Sequence, residues 1–439
     1  MKITDKRNAL RIILMAVVML MVIHTAEAQR SVVRKLKKIP GVVSVEEKHI
    51  DTSAYTKYLI WFEQPIDHTN PAAGTFRQRV WVIHADFDKP MVMTTEGYAA
   101  EYANPPWYRN EIADHFGTNH LMVEHRYFGY SVPQSAGWDP LTVENAAADH
   151  HRIIQAFKRY YSGKWLTTGI SKGGTAALIH KVLYPDDADI TVAYVAPINY
   201  GLEDGRHESF ISTNASPEHR AAVAAFQTQI LIRRTEMIAL LENYIRKNEL
   251  TFRIPVNELL DYLVLEYAFA FYQWGWDIDM IPDATGDDTA YFMHLVVVSE
   301  PEYFAIETSV PFVPFFVQAI RQLGYYGYEI RPYNTLMEIQ TTKDYLKRIM
   351  LPDSIDYEFD GTISTKVQEY LFREDPKMIL IYGEWDPWTA SAVIFDSREK
   401  QHLLKIVKAR GSHAVRIKDL NGPDRNLVLE RLSNWLYGN

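Results

Sequence analysis

Short runs of apolar and β-branched residues recur along the first half of the chain and again near its end. Such runs, bounded by polar or turn-forming residues, predict buried β-strands. The predicted strands are 58–62, 78–83, 91–94, 120–124, 164–168, 190–195, 378–382 and 403–407. Between two of them, residues 141–161 carry apolar side chains at helical spacing. Strands that alternate with helices indicate a largely parallel sheet covered on both faces.

The pattern changes to helical spacing after Asn199. Ser216 and Pro217 form a favourable helix start, a capping side chain followed by proline in the first turn. The predicted helices are 221–246, 257–274, 310–323 and 342–350, and a final helix covers 425–436. No convincing strand alternation is visible between about residues 205 and 345. This block therefore predicts a helical insertion.

The predicted organisation is an α/β core in two parts, 49–204 and 351–439, with a large helical cap of residues 205–350 between them. Residues 29–48 form a basic leader that is expected to be loosely ordered. Residues 1–28 resemble a secretory signal peptide, with a basic start, an apolar stretch and Ala26-Glu27-Ala28 as a cleavage site after Ala28. We expect a secreted or periplasmic protein, with an uncleaved N-terminal anchor as the alternative.

Composition narrows the function classes. The 439-residue chain has a formal net charge of −9 and no basic stripe, which argues against nucleic-acid binding. It contains no cysteine, which excludes disulfides, a thiol nucleophile and a cysteine-ligated metal. The acidic cluster Asp277, Asp279, Asp283, Asp287 and Asp288 lacks the spacing of a calcium loop. We expect no metal, no cofactor and no stable membrane insertion after signal cleavage, and the oligomeric state stays open.

The segment Gly169-Ile170-Ser171-Lys172-Gly173 is the strongest candidate for chemistry. An extended run precedes it and a helix-forming run follows it. Strand, Gly-x-Ser-x-Gly and helix in this order are typical of a nucleophile elbow, a tight turn that exposes the serine hydroxyl. The alternative is an ordinary glycine-rich turn that enters a helix.

A serine nucleophile needs a base within hydrogen-bond reach, and the base needs an orienting carboxylate. In α/β-hydrolases these residues follow the serine on loops after later strands, first the acid and then the base. Asp386 follows the predicted strand 378–382, and His413 follows the strand 403–407. We therefore predict the triad Ser171, Asp386 and His413, with Glu384 as a rival acid and His402 as a rival base.

An acyl-transfer intermediate also needs hydrogen-bond donors for its oxyanion. One is the backbone N–H of the residue after the nucleophile, here Lys172. The other usually lies in the loop after an early strand, which points to the Tyr98 N–H. Its neighbour Gly97 would let the backbone approach closely. The Lys172 side chain is expected to point to solvent or to an acid of the cap.

Three further motifs carry a resemblance to a known family. They are Phe62-Glu63-Gln64-Pro65-Ile66-Asp67-His68 with Thr75-Phe76-Arg77-Gln78-Arg79, Glu124-His125-Arg126-Tyr127-Phe128-Gly129-Tyr130-Ser131, and Asp386-Pro387-Trp388. They resemble prolyl carboxypeptidase and dipeptidyl-peptidase II. The elbow sequence, Ala414 after His413 and the lack of cysteine resemble instead the related bacterial secreted tripeptidyl and prolyl tri/tetrapeptidyl aminopeptidases. The resemblance implies an α/β-hydrolase core, a helical cap and release of short peptides from free N-termini, often after proline.

An enzyme that works from a free N-terminus must bind an ammonium group and, for proline, a flat apolar ring. Glu96 beside the predicted oxyanion loop is the candidate anchor, with Glu101 and Glu329 as rivals. The cap supplies Phe269, Phe271, Tyr272, Trp274 and Trp276, and Trp385 and Trp388 flank the acid. Aromatic residues at helical spacing are more often core than pocket. We select Trp274, Trp276 and Trp388 as substrate contacts.

Two other functions remain open at this point. A lipase or carboxylesterase on the same scaffold would cleave esters but no peptide anilide. A binding protein on an inactive hydrolase fold would be expected to lack a triad member, and none is missing here.

Overall fold

The computed structural model describes residues 30–48, 55–134, 137–283 and 285–438. The predicted signal peptide and its cleavage site lie outside the described residues. Within the described part of the chain, no helix is both long and apolar enough to cross a membrane.

Eleven strands are present among the described residues, nine of them in one sheet. Their bounds are β1 Val42–Lys48, β2 Thr56–Pro65, β3 Thr75–His84, β4 Met91–Thr95, β5 Asn119–Val123, β6 Trp165–Ile170, β7 Ile190–Tyr194, β8 Glu203–Asp204, β9 Tyr325–Tyr326, β10 Met378–Gly383 and β11 Leu403–Lys408. The main sheet has the order β1-β2-β3-β5-β4-β6-β7-β10-β11. Strands β5, β4, β6, β7, β10 and β11 run parallel, and β1 to β3 extend one edge in antiparallel fashion. This is the sheet of an α/β-hydrolase.

The helices fall into a core set and an inserted set. Their bounds are α1 30–36, α2 Glu111–Phe116, α3 Val143–Phe157, α4 Lys172–Leu183, α5 Arg206–Thr213, α6 Pro217–Ile232, α7 Arg234–Lys247, α8 Val256–Trp274, α9 Asp288–Ser299, α10 Ile306–Ser309, α11 Val313–Gln318, α12 Thr362–Arg373 and α13 Gly422–Tyr437. Helices α5 to α11 lie in the chain between β7 and β10.

Apolar residues of the sheet are covered on both faces. Ile153, Ile154 and Phe157 of α3 pack against β2 to β5 on one side, and Val428 and Leu432 of α13 pack against β6, β7 and β10. Every residue of β4, β5 and β7 is buried, as expected for parallel strands covered on both faces. The burial of this apolar surface is the main favourable contribution to folding, at roughly 25 cal/mol per Å².

The inserted helices share an apolar core of their own. Residues 259–272 of α8 are all buried, and all but Asp261 and Glu266 are apolar or aromatic, so other elements enclose the helix on every side. Their partners include Phe226 of α6, Leu295 of α9 and Phe316 of α11. The domain boundaries at residues 205 and 350 stay a prediction. The expected lack of strands between about 205 and 345 is wrong only at β9, which forms a two-residue pair with β8.

Two other sequence expectations are wrong. The leader 29–48 is not loosely ordered where the structure describes it, because β1 pairs with β2 and Leu36 and Ile39 are buried in the core. The single helix predicted for 221–246 is two helices, α6 and α7, which meet at Arg233. The Ser216 cap is present, since its side chain accepts a hydrogen bond from the His219 N–H.

A carboxyl group lies buried in the middle of α8. Glu266 Oε2 accepts hydrogen bonds from the hydroxyls of Tyr326 at 2.9 Å and Tyr328 at 2.6 Å. Burial raises the pKa of Glu266 to about 7, although the two tyrosines lower it. A carboxyl with a raised pKa keeps its proton in the folded state at a pH where the unfolded chain has released it.

This burial predicts a pH-dependent stability difference between the wild type and Glu266→Gln. Stability from this group falls as pH rises from about 4.5 to about 7, by on the order of 3 kcal/mol. The amide does not ionise, so the variant should gain stability relative to the wild type between pH 5 and pH 8. Thermal unfolding of both proteins at the two pH values measures this. An equal stability difference between the two proteins at pH 5 and at pH 8 would contradict the raised pKa of Glu266.

Candidate active site

Ser171 lies in a strained turn between β6 and α4. Its backbone has φ 54° and ψ −124°, a conformation that residues with side chains rarely adopt. The Ser171 N–H donates to the Tyr194 carbonyl at 2.9 Å, and the Ser171 carbonyl accepts from the Thr175 N–H at 2.9 Å. These bonds hold the serine at the carboxyl end of β6, where helix α4 begins at Lys172.

The glycines around Ser171 are required by close backbone contacts. A Cβ atom on Gly169 would lie 2.1 Å from the Gly173 carbonyl oxygen. A Cβ atom on Gly173 would lie 2.5 Å from the Thr95 carbonyl oxygen. Both glycines of the Gly-x-Ser-x-Gly pattern are therefore needed because β6, α4 and the end of β4 lie too close together to admit a Cβ atom. This segment is more than a glycine-rich turn.

Asp386 and His413 are paired, although 27 residues separate them. His413 Nδ1 lies 2.7 Å from Asp386 Oδ2, and Asp386 is completely buried. The other Asp386 oxygen accepts from the Trp388 N–H at 3.1 Å. The His413 N–H donates to the Gln273 carbonyl at 2.9 Å, which ties the histidine loop to the end of α8.

The rival acid and base lie elsewhere. Glu384 is exposed, and its carboxylate accepts from the Arg410 N–H. His402 is also exposed, and its backbone N–H donates to the Asp375 carboxylate. Neither contacts the pair formed by Asp386 and His413.

Ser171 and His413 share neighbours. A cavity of about 110 Å³ is lined by Ser171, Gln273 and Trp388 among others. The Trp388 ring centroid lies 6.3 Å from that of His413, and Gln273 accepts the His413 N–H. Among the described residues no hydrogen bond joins the Ser171 hydroxyl to His413, so the complete triad stays a prediction. Catalytic hydrogen bonds are often long without substrate.

The loop after β4 packs against the start of α4. A Cβ atom on Gly97 would lie 2.8 Å from the Gly173 nitrogen and from the Lys172 Cβ atom. The Lys172 N–H, first in the helix, has no acceptor within it. The Tyr98 N–H lies 3.3 Å from Glu96 Oε1, a long hydrogen bond. Both predicted oxyanion donors are thus near the nucleophile, but the Tyr98 donor faces a carboxylate.

The expectation for the Lys172 side chain is wrong. Lys172 is buried, and its Nζ donates to the Gly97 carbonyl. The ammonium lies 4.5 Å from the Phe128 ring centroid, 5.2 Å from Tyr98 and 5.8 Å from Phe315. Burial lowers the pKa of Lys172 well below its ordinary value, against the opposing effect of Glu96. The elbow turns so tightly that the first side chain of α4 points beneath the oxyanion loop.

The carboxylate of Glu96 accepts hydrogen bonds from neighbouring residues. Oε1 accepts from the Gly97 N–H at 2.8 Å, and Oε2 accepts from the Tyr102 hydroxyl. Burial raises the pKa of Glu96, while Tyr102 and Lys172 act in the opposite direction. Its role as an ammonium anchor stays a prediction. The rivals Glu101 and Glu329 form ion pairs with Arg79 and Arg331.

The three selected tryptophans have different positions. Trp388 lines the Ser171 cavity, and its Nε1 donates to Gln273 Oε1 at 3.2 Å. Trp274 is 53% exposed, with its ring centroid 6.2 Å from that of His413. Trp276 is 6.3 Å from the His294 ring, within the inserted helices. Trp388 lines the cavity beside Ser171 and Trp274 lies near His413, and the role of all three tryptophans as substrate contacts stays a prediction.

Two polar residues of the cavity wall carry no clear sequence signal. Asn199 follows β7, and its Oδ1 lies 3.0 Å from His207 Nε2. Gln273 is the next-to-last residue of α8, and nothing in the helical spacing distinguishes it from a surface residue. Asn199 reaches the cavity from the end of β7 in the core, whereas Gln273 reaches it from α8 of the helical insertion.

The chain is similar to several known proteins. The sequence profile of the PS-10 peptidase S37 family matches residues 26–435. A prolyl tri/tetrapeptidyl aminopeptidase of Streptomyces mobaraensis is 29% identical, over 98% of this chain and 92% of its own. A probable serine protease of Arabidopsis thaliana is 25% identical over 37% of each chain. Among solved structures, proline iminopeptidase of Mycobacterium smegmatis has a TM-score of 0.38 at 12% identity, covering 90% of this chain and 100% of its own.

Lys172→Met tests whether the buried amine positions the oxyanion loop. Methionine keeps the length of the stem but leaves the Gly97 carbonyl without its donor. An unpartnered buried acceptor costs about 1–3 kcal/mol, so kcat should fall roughly 10- to 100-fold with little change in KM. Steady-state kinetics measures this, with Lys366→Met on the exposed surface of α12 as the matched control. An equal loss in both variants would refute the positioning role.

Proposed function

The chain belongs to the PS-10 peptidase S37 family and is a serine peptidase, and we propose that it releases short peptides from the free N-termini of its substrates. The observation that carries the proposal is the buried pair of Asp386 and His413 beside the cavity that Ser171 lines. The Streptomyces mobaraensis relative, a prolyl tri/tetrapeptidyl aminopeptidase, supports release of tri- or tetrapeptides, often proline-ended.

In the proposed mechanism, Ser171 attacks the peptide carbonyl and His413 takes its proton through Nε2. Donation from His413 Nδ1 to Asp386 fixes the tautomer that leaves Nε2 free as a base. The buried carboxylate then stabilises the imidazolium that forms. His413 returns the proton to the leaving amine, and water releases the acyl-peptide by the reverse sequence.

The proposed oxyanion donors are the backbone N–H groups of Lys172 and Tyr98. The N-terminal end of α4 adds a positive dipole at the same place. One such donor contributes roughly 3–4 kcal/mol in the transition state. The Tyr98 N–H must exchange its long contact with Glu96 for the oxyanion, and the weakness of that contact favours the exchange.

The cavity beside Ser171 supports a preference for a compact apolar residue before the scissile bond. Its walls include the aromatic rings of Phe315, Tyr325 and Trp388. A volume of about 110 Å³ is small compared with ligand pockets of about 300–1,000 Å³. The flat proline ring suits such a space better than a long or charged side chain.

The proposed location is the periplasm or the exterior of the cell. The support is the N-terminal pattern of basic residues, an apolar stretch and the cleavage motif that ends at Ala28. A protein without cysteine meets an oxidising compartment without forming disulfides.

Ser171→Ala should abolish hydrolysis and labelling by a fluorophosphonate probe while the protein keeps its fold. The loss follows because no other hydroxyl takes the place of the nucleophile. Labelling, hydrolysis of a tripeptide anilide and circular dichroism measure this, with exposed Ser397→Ala as the control. Normal turnover by Ser171→Ala would eliminate the proposed nucleophile. An unlabelled wild type would favour the inactive binding protein, and ester cleavage alone would favour the lipase.

A peptide library with free and with acetylated N-termini tests the direction of cleavage. We expect the wild type to release tri- and tetrapeptides from free peptides and to cleave acetylated ones at least 10-fold more slowly, since removal of the ammonium loses a charge-assisted hydrogen bond. Mass spectrometry identifies the fragments. Equal cleavage of both libraries would end the aminopeptidase proposal and favour an endopeptidase or carboxypeptidase.

A further inference from the structure

A second cavity lies among the inserted helices, and we name it the cap cavity. It has a volume of about 260 Å³ and is bordered by α5, α6, α8 and the segment 327–333. Phe269, Tyr272 and Tyr333 form much of its apolar wall. Two carboxylates, Glu208 and Glu329, also line it. Mostly apolar walls with a few polar groups are typical of a small-molecule or peptide subsite.

The carboxylate of Glu208 forms no ion pair with a cation of the described residues. Its Oε2 atom is inaccessible to solvent and makes no hydrogen bond to the described residues. Gly327 packs against the other oxygen so closely that a Cβ atom there would lie 2.4 Å from Oε1. Burial raises the pKa of Glu208, a hydrogen bond from its own backbone N–H lowers it, and the neighbouring carboxylates of Asp204, Glu203 and Glu329 raise it further. A buried acceptor in this condition gains most from a cationic donor.

The cations nearby are committed to other groups. Arg220 lines the cavity, but its Nη1 donates to the carbonyls of residues 213–215 at the end of α5. Arg206 pairs with Asp204, and Arg331 pairs with Glu329 and is 85% exposed. Glu208 therefore borders the cap cavity without a cationic partner among the described side chains.

Helix α5 joins the cap cavity to the active site. His207, next to Glu208, has its Nδ1 3.0 Å from the carbonyl oxygen of Pro387, directly after Asp386. Its Nε2 lies 3.0 Å from the oxygen of Asn199, which lines the Ser171 cavity. Glu208 is thus one residue from His207, whose side chain contacts both the loop of Asp386 and the cavity wall beside Ser171.

The distance from the cap cavity to His413 is short enough for a short peptide to span. Phe269 of the cavity wall lies 5.3 Å from the Trp388 ring, and Trp388 lies 6.3 Å from His413. Placed end to end, these separations put Phe269 within about 12 Å of the imidazole. An extended chain spans at most about 3.3–3.6 Å per residue, so three or four residues reach roughly 10–14 Å.

We propose that the cap cavity receives the N-terminal residue of the substrate and that Glu208 binds its α-ammonium group. The apolar wall of the cavity contacts the first side chain, and Glu329 lies at the same cavity in its ion pair with Arg331. The proposal deepens the proposed function and rests on it, because only an enzyme that acts on free N-termini needs such an anchor. It assigns the anchor to Glu208 in place of Glu96.

Glu208→Gln tests the anchor with two substrates, a tripeptide anilide with a free N-terminus and its acetylated counterpart. The amide keeps the shape of the side chain but removes the charge. We expect kcat/KM for the free substrate to fall roughly 10- to 100-fold, mainly through KM, with an unchanged rate for the acetylated one. Glu218→Gln, an exposed acid at the start of α6, is the matched control and should change neither rate.

A second variant fills the cavity without touching the carboxylate. Ala224 lies on the cavity rim and is exposed, so Ala224→Phe should fold and should lower the preference for the free N-terminus in the same way. Equal losses on both substrates in Glu208→Gln would indicate a structural role and overturn the proposal. An unchanged preference in both variants would also overturn it, and a lost preference in Glu96→Gln would then place the anchor at Glu96. If the wild type itself shows no preference, the proposed function fails first.

Discussion

The close approach of three backbone segments around Ser171 is the constraint on which the site depends. The end of β4, the end of β6 and the start of α4 meet with no room for a Cβ atom at Gly97, Gly169 or Gly173. This approach forces Ser171 into a positive φ and exposes its hydroxyl. It also directs the Lys172 side chain beneath the oxyanion loop, where the Gly97 carbonyl and aromatic rings surround it. The strained backbone of Ser171, the position of the predicted oxyanion donors and the burial of the Lys172 amine thus share one steric cause.

The inserted helices also contact the loops that carry Asp386 and His413. Gln273 at the end of α8 accepts the His413 N–H through its backbone and the Trp388 indole through its side chain. His207 of α5 contacts the residue that follows the acid. The position of the histidine loop therefore depends on the cap helices as well as on the sheet. Catalytic loops held by a rigid scaffold at the carboxyl ends of parallel strands are a general solution in α/β proteins.

Hydrophobic patterns in the sequence predict the strands and helices whose burial depends on their own residues. Parallel strands such as β7 and β10 are mostly apolar runs because both faces are buried, and the buried stretch 259–272 of α8 is mostly apolar, with the acids Asp261 and Glu266 as exceptions. Strand β1 was missed because an edge strand carries charged residues and buries little. Asp386 and His413 could be proposed because topology brings the ends of β10 and β11 to one edge of the sheet.

What the sequence could not predict depends on contacts between distant segments. Trp276 and Trp388 look alike as aromatic candidates, and only the packing of the inserted helices separates their positions. Glu208 resembles any acid in the first turn of a helix, since the cavity that buries it also needs α6, α8 and the segment near Gly327. The direction of the Lys172 side chain follows from the tightness of the elbow, which hydrophobic spacing does not encode.

The composition of β1 has a consequence for the behaviour of the protein in concentrated solution. A sheet edge presents unpaired backbone groups that can recruit a strand from another molecule and start aggregation. The strand at this edge reads Val-Val-Ser-Val-Glu-Glu-Lys, and its pairing with β2 shifts register between Val42 and Ser44. Charged side chains and an irregular register both oppose edge-to-edge growth between molecules, a protection that matters for a chain in which no disulfide limits unfolding.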